Sequence, residues 1–373
     1  ASKHICNVVK QDNGEGILAK TFGRLSYKEV LSGASSNDDV LPVEYLISKK
    51  FRINVSKNSC GEIILAITRL IEAYISDLQF SKNSLALSPY DTFLAINNLP
   101  LSPNENESNL EYSSRLLSLI QSLEKNNTLK FVEKNENTEN GEFLFHDQLY
   151  RFGEVELLGL KIFFNQSDEL KVSNGNCGAC HPAPHFTDFK FHNIGVTQVE
   201  YEAIHGLDSF NRLPIPNLVA RTQNADTYLP ATSSHPKRRG VFRQAANQAD
   251  PIYTDLGVWN ILYNDDFPSP QVKLYKLVCN DKNSCENKDT ALQLALAAFK
   301  TPTLRNLGHS APYMHNGQIG DLHSLIGFYM NASNNSRNGR IRNSDSELKK
   351  VKIEPNDIQP LVQFLISLYE DYH

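Results

Sequence analysis

Between Glu62 and Leu78 the apolar residues Ile63, Ile64, Ile67, Leu70, Ile71 and Tyr74 recur at three- and four-residue steps, which predicts one buried face of a helix. The first 50 residues are polar and set no such pattern. Ser88-Pro89-Tyr90-Asp91 interrupts the periodicity and opens a short helix to Leu94. Residues 101–142 are rich in Asn, Glu and Ser. Within them Leu110–Leu123 reads as an amphipathic helix and Glu124–Gly141 as a solvated loop. A domain boundary is expected there, giving 1–142 and 143–373. Leu157–Phe164 is apolar and helical. Residues 200–270 carry many Pro, Asn and Asp and little periodicity, as in a long excursion wrapped over a site. Further helices are expected at Ala291–Phe299, Leu322–Tyr329 and Pro360–Tyr369. Val196 and Val199 are too few to make a sheet. The fold expected is mostly α with long connections, without internal repeats.

Composition narrows the class. The chain has 373 residues, long enough for two domains. A net charge of -5 and a pI of about 6.1 argue against a nucleic-acid partner. No apolar run reaches the roughly 18 residues of a membrane helix, so no transmembrane segment is expected. The chain starts at Ala1 without a basic-then-apolar leader, as expected if a targeting segment has been removed or the chain is part of a longer protein.

Six cysteines bear on the compartment. Cys279 and Cys285 bracket a polar segment short enough to close as a small disulfide loop, and Cys6 with Cys60 is the other candidate bridge. The alternative is four buried free thiols. Bridges favour an oxidising, extracytoplasmic or periplasmic compartment.

Cys177 and Cys180 belong to Cys177-Gly178-Ala179-Cys180-His181, the C-x-x-C-H signature of c-type haem attachment. One helical turn brings both thiols to the porphyrin edge, where they add to the vinyl groups, and sets the His181 imidazole beneath the iron. A zinc site wants a second Cys or His pair at ribbon spacing, and the Cys279–Cys285 interval is too wide. A thioredoxin-like dithiol wants a strand before it and a helix after it, whereas Pro182 and Pro184 follow here.

GLKIFFN before the motif, CGACHPAPHFTDFKFHNIGV across it and FKTPTLRNLGHSAPYMHNGQIGDLHSLIGFY at 299–329 resemble the C-terminal haem domain of the bacterial dihaem cytochrome c peroxidases and the related MauG-type enzymes. SPYDTFL at 88–94 resembles the linker between the two haem domains of that family, and DLGVWN at 255–260 a segment of one subgroup. The resemblance covers roughly residues 60–373. It implies a cytochrome-c-like haem domain with long loop-rich insertions and a reduced N-terminal helical domain. It implies an oxidoreductase in peroxide-linked oxidation and electron transfer, with one covalent haem c in this chain. The family's second C-x-x-C-H, in its N-terminal domain, has no counterpart in this sequence. A second haem would come from another subunit or redox partner protein, with hydrogen peroxide as small oxidant. The alternative is a non-catalytic electron-transfer cytochrome subunit of a larger complex.

The iron's sixth ligand has several candidates: Tyr329, Met330, Met314, His185, His192, His309 and His315. By the resemblance Tyr329 takes the position that is Met in the peroxidases and Tyr in the MauG-type enzymes. Met330, one residue on, points about 100° away round a helix. Arg305 resembles a propionate-pairing arginine, and the carbonyls of Ser310 and Pro312 match carbonyl ligands of an interdomain Ca2+. Trp259 is either core or an electron relay. Lys237-Arg238-Arg239 is either a solvated turn or a docking patch for an acidic partner. The sequons at Asn54 and Asn331 matter only where the source glycosylates.

Overall fold

The computed structural model describes residues 2–16, 23–34, 41–77, 87–136, 138–143, 148–166, 172–279 and 285–370. The protein is mostly α, about 46% helical. Its chain divides into two compact units, Ala1–Gln79 and Phe80–His373.

The first unit holds α1 (Ser2–Gln11), α2 (Tyr27–Ser32) and α3 (Cys60–Asp77). Ser26 caps α2 through a reciprocal box with Glu29, and Gly33 ends it in the left-handed conformation. Ile63 and Ile67 of α3 face a small core with Val9, Leu31 and Val55, as their periodicity predicts. Ile71 does not: it is 52% exposed. A disulfide joins Cys6 of α1 to Cys60 of α3, with Cα atoms 5.5 Å apart.

The second unit begins with α4 (Pro89–Ile96), α5 (Asn109–Lys125) and α6 (Glu154–Phe164). The unit boundary therefore falls before α4, not at residue 142. The reason is packing: Tyr90, Phe93, Tyr112 and Leu116 share one core with Leu157, Leu160 and Phe163 of α6. Phe93 stacks on Phe152 at 4.1 Å, and Val132 pairs with Phe152 backbone to backbone. The Asn- and Glu-rich stretch is a surface excursion of this unit rather than a linker.

Residues 196–298 are more helical than their polarity predicts: α7 (Val196–His205), α8 (Ser209–Arg212), α9 (Leu218–Gln223), α10 (Ala225–Tyr228), α11 (Gln271–Cys279) and α12 (Lys288–Leu294). They enclose a second core around Phe210, Phe242, Leu256 and Trp259. Val196 and Val199 fall on α7. Phe299 is not helical; β2 (Phe299–Lys300) pairs antiparallel with β1 (Phe191–His192). The Cys279–Cys285 disulfide is present; the residues between lie outside the described ones. Three helices close the unit: α13 (Leu322–Arg337), longer than expected, α14 (Ser346–Lys350) and α15 (Ile358–Ile366). α6 and α15 cross at Gly159, where a Cβ would stand 2.0 Å from the Pro360 carbonyl oxygen. Only glycine allows that approach.

Candidate functional site

The C-x-x-C-H segment leaves α6 through a left-handed Asn176 and forms a tight turn over Cys177–Ala179. The amide of His181 donates to the Cys177 carbonyl at 2.9 Å, closing one helical turn. That turn sets two thiols and the imidazole on one short arc, as attachment to a porphyrin edge requires. Its seat is aromatic. A Cβ on Gly178 would stand 2.7 Å from the Phe164 ring, so the turn lies directly on the end of α6. Asn176 ties it to the C-terminal segment by donating to the Glu347 carbonyl at 2.9 Å. The amide of Ala183 donates to the Ser113 hydroxyl of α5 at 2.9 Å.

Cys177 and Cys180 are free thiols, half-buried, whereas the other four cysteines are bridged. Burial pushes Cys177 up to about 12, with the neighbouring Cys180 adding to it. His181 Nδ1 lies 2.9 Å from the Phe186 carbonyl oxygen, and the Pro302 carbonyl is a second acceptor for the ring; the Nδ1–H tautomer leaves Nε2 as the basic nitrogen. Burial lowers His181 to about 4, so the imidazole is neutral at physiological pH, the form a metal binds.

Tyr329, on α13, is half-buried against both the main core and a small cluster of Ala332, Ile341 and Leu348. Burial raises its phenol, and the charges of Cys180 and Cys177 raise it further, so its hydroxyl lies within electrostatic reach of both thiols. Met330 also packs on the main core, and its carbonyl accepts the Ser333 hydroxyl at 3.0 Å.

The remaining histidines are placed otherwise. His185 is exposed. His315 stacks face to face on Phe299, 3.5 Å between ring centroids. The His309 side chain lies outside the described residues. His192 has both nitrogens engaged, Nε2 with Asp188 at 2.8 Å and Nδ1 with Asp345 at 2.6 Å. Burial works to lower it, but the two carboxylates outweigh that and hold it as imidazolium, up to about 12. It lies against the Cys180 thiol. Sequence reading missed this clamp because Asp345 is 153 residues from His192. Around it the Asp345 amide donates to the Asn193 carbonyl at 2.9 Å, Asn193 Nδ2 to the Arg342 carbonyl at 3.0 Å, and the Arg342 amide to Gln198 Oε1 at 2.9 Å. The stretch after the cysteine motif is thereby fastened to the stretch after α13, which carries Tyr329.

Arg305 does form a bidentate carboxylate pair, but with Asp91 of α4, at 2.6 and 3.0 Å. Its Nε and Nη2 also donate to the Pro184 carbonyl. The guanidinium is 4% exposed and lies 5.2 Å from the Phe186 ring. Within the chain, SPYDTFL thus supplies a carboxylate partner for Arg305. Ser310 and Pro312 lie on an exposed turn. No cluster of three or more His, Cys, Asp or Glu side chains able to hold a metal occurs among the described residues. Two carbonyls do not make up the six to eight oxygens of a calcium shell. Trp259 is buried in the second core. Arg238 of the basic cluster is ion-paired to Asp266 at 2.7 Å, so the cluster is partly neutralised from within.

No protein-family model matches the chain. Over 132 residues, 32% of the chain, it is 31% identical to the cytochrome-c peroxidase IdrP1 of Pseudomonas sp. (strain SCT), covering 33% of that protein. Over 72 residues it is 39% identical to the methylamine utilization protein MauG of Methylorubrum extorquens, covering 19% of each. Over 205 residues, 54% of the chain, it is 26% identical to the cytochrome-c peroxidase IdrP2 of Denitromonas iodatirespirans, covering 38% of it. The chain thus matches about a third of the length of the first of these relatives. These relatives are named cytochrome-c peroxidases and MauG, and the likeness to them covers 19–54% of this chain.

Proposed function

We propose that this chain is a c-type haem oxidoreductase of the cytochrome c peroxidase and MauG-like kind, acting in peroxide-linked oxidation and electron transfer outside the cytoplasm. The observation that carries it is the one-turn arc of two free thiols and a neutral imidazole whose Nδ1 is tied to the Phe186 carbonyl. The donor set fits one covalent haem c. Addition of each S–H across a vinyl double bond consumes only the thiol and the vinyl, so both sulfurs have to be reduced. When bound, the haem supplies a redox-active iron.

The residues of the chain do the rest. Cys177 and Cys180 would hold the macrocycle, and His181, its Nδ1 tied to the Phe186 carbonyl, would offer Nε2 to the iron. Tyr329 would be a further ligand of the iron, and a phenolate there would support ferric over ferrous iron. In the chain alone burial keeps its phenol neutral; a ferric iron provides the opposing charge. The Asp188–His192–Asp345 clamp holds the two sides in register. The family's cytochrome-c-like architecture for this unit is part of the same reading. The two disulfides support a periplasmic or otherwise oxidising location, and among the described residues no helix is long and apolar enough to cross a membrane. The electron partner is a second haem subunit or redox protein, with hydrogen peroxide as oxidant. A calcium ion at the Ser310 and Pro312 carbonyls would have to draw its remaining oxygens from elsewhere.

A second reading, a non-catalytic electron-transfer subunit, is favoured by the single C-x-x-C-H in this sequence. A pyridine haemochrome assay with the ferric spectrum separates the two when combined with peroxide. One haem per chain, closed by Tyr329, predicts slow reaction with peroxide and ready electron exchange. Rapid turnover of a reduced donor by the isolated chain moves the weight to a self-sufficient peroxidase. Haem extracted by acid–acetone from the denatured chain removes the c-type assignment.

A further inference from the structure

Trp259 is the sole tryptophan, and it lies in the second core, apart from the haem-motif core. It is 1% exposed and firmly held. The Phe242 ring meets it edge-on at 5.4 Å. The Arg221 guanidinium lies 4.7 Å from its centroid on the other contact, and donates to the carbonyls of Trp259 and, at 2.7 Å, Leu262.

Trp259 borders a cavity of about 340 Å³. Three separate stretches build the rest of its lining: Ile215–Asn217, Asp289 to Gln293 of α12 with Leu296 just beyond it, and Arg342 with Asn343. Two charges of opposite sign line this cavity without meeting. Arg342 is half-buried and gives its Nη1 protons to the carbonyls of Phe210 at 3.1 Å and Leu213 at 2.7 Å, groups that carry no net charge. Asp289 accepts the Leu218 amide at 2.8 Å through one oxygen. Among the described residues neither forms an ion pair, with the other or with any third group. Leu292, Leu296 and Ile215 supply apolar wall between them.

We propose that this cavity is a second binding site, for a small zwitterion with an apolar side chain, of which an α-amino acid is the simplest case. A cation partly withdrawn from water and lacking a counter-charge is costly. A ligand carboxylate at Arg342 relieves that cost, and burial already works to lower the Arg342 pKa. A lone carboxylate would face Asp289 unpaired, and a lone ammonium would face Arg342. Only a ligand with both charges satisfies both walls, while its apolar part is taken out of water by Ile215 and the leucines. Because Arg221 and Phe242 hold Trp259 in place, that wall is set before the ligand arrives, which lowers the ordering cost of binding.

Calorimetric titration of the haem-loaded chain tests the charge logic with three probes: L-phenylalanine, phenylacetate without the ammonium, and 2-phenylethylamine without the carboxylate. Phenylalanine should bind saturably and the other two about tenfold more weakly or worse. Arg342→Gln, which keeps a donor for the two carbonyls, should abolish the preference over phenylethylamine. Asp289→Asn, which keeps an oxygen for Leu218, should abolish the preference over phenylacetate. The haem spectrum of each variant should stay unchanged. Trp259 emission should shift over the same phenylalanine concentrations. The proposal is overturned if phenylalanine gives no saturable heat, if the three probes bind alike, or if Trp259 emission stays constant through saturation.

Discussion

Tyr329→Phe removes one oxygen and little volume, so the variant should fold. If the phenol closes the iron, the ferric spectrum changes and cyanide binds faster and more tightly in the variant. An unchanged spectrum removes Tyr329 as ligand, and rapid cyanide binding by the wild type argues the same way. Cys180→Ala keeps His181 in place and should cut holoprotein yield sharply, measured as haem per chain. Cys177, Cys180 and His181 were legible because their chemistry demands a fixed local spacing, and one turn of chain delivers it. Arg305 was legible as a buried pair-former but not as the partner of Asp91, since the two are 214 residues apart. Periodicity along a helix reports which face is apolar, not what lies across from it. Ile71 shows the same limit: it keeps the helical rhythm of α3 and still faces solvent.

Pairs of elements are joined by buried charge. Asp91→Asn leaves the buried Arg305 guanidinium with the more distant Glu370 carboxylate, 3.7 Å away, and should cost about 3 kcal/mol in chemical denaturation. Replacing both residues with apolar ones of similar size should recover only part of that loss, because the buried Glu370 carboxylate then loses this cation. The His192 clamp adds a pH signature. Its folded pKa, up to about 12, lies above the ordinary 6.5. Its contribution is therefore fully present below about pH 6.5 and lost progressively as pH rises toward 12. The stability gap between wild type and His192→Gln should be larger at about pH 6 than at about pH 9, as urea midpoints would show. A gap that widens with pH contradicts the imidazolium assignment. At this scale α3, α5, α6 and α15 were readable from apolar spacing, whereas α7 to α11 were not. Those helices are short, and their stability comes from the shared core around Trp259 rather than from any run of regular positions.

The two units of the whole molecule differ in how they are sustained. Among the described residues the small core of the first is formed by the buried Cys6, Val9, Leu31, Val55 and Ile63, and its disulfide spans 54 residues. Closing a loop of that size stabilises by about 4 kcal/mol in the chain-entropy view. Cys60→Ser should therefore make residues 1–79 protease-sensitive while the haem spectrum of the second unit stays intact; simultaneous loss of both would argue against independent units. The expected boundary at residue 142 failed because composition marks where a chain is solvated, not where a core ends.

Four sulfurs of this chain are oxidised in pairs while two others remain thiols, and this constrains its biosynthesis. The catalyst that closes Cys279 onto Cys285 encounters, in the same unfolded polypeptide, a C-x-x-C segment equally able to cyclise. Once Cys177 and Cys180 are joined they have no hydrogen to give to a vinyl group. Manufacture in a heterologous host therefore hinges on a reductant dedicated to that dithiol. Without one, the secreted product should accumulate colourless, two daltons lighter across the tryptic fragment bearing both cysteines than its reduced counterpart, and it should regain the capacity to take up haem only after selective reduction.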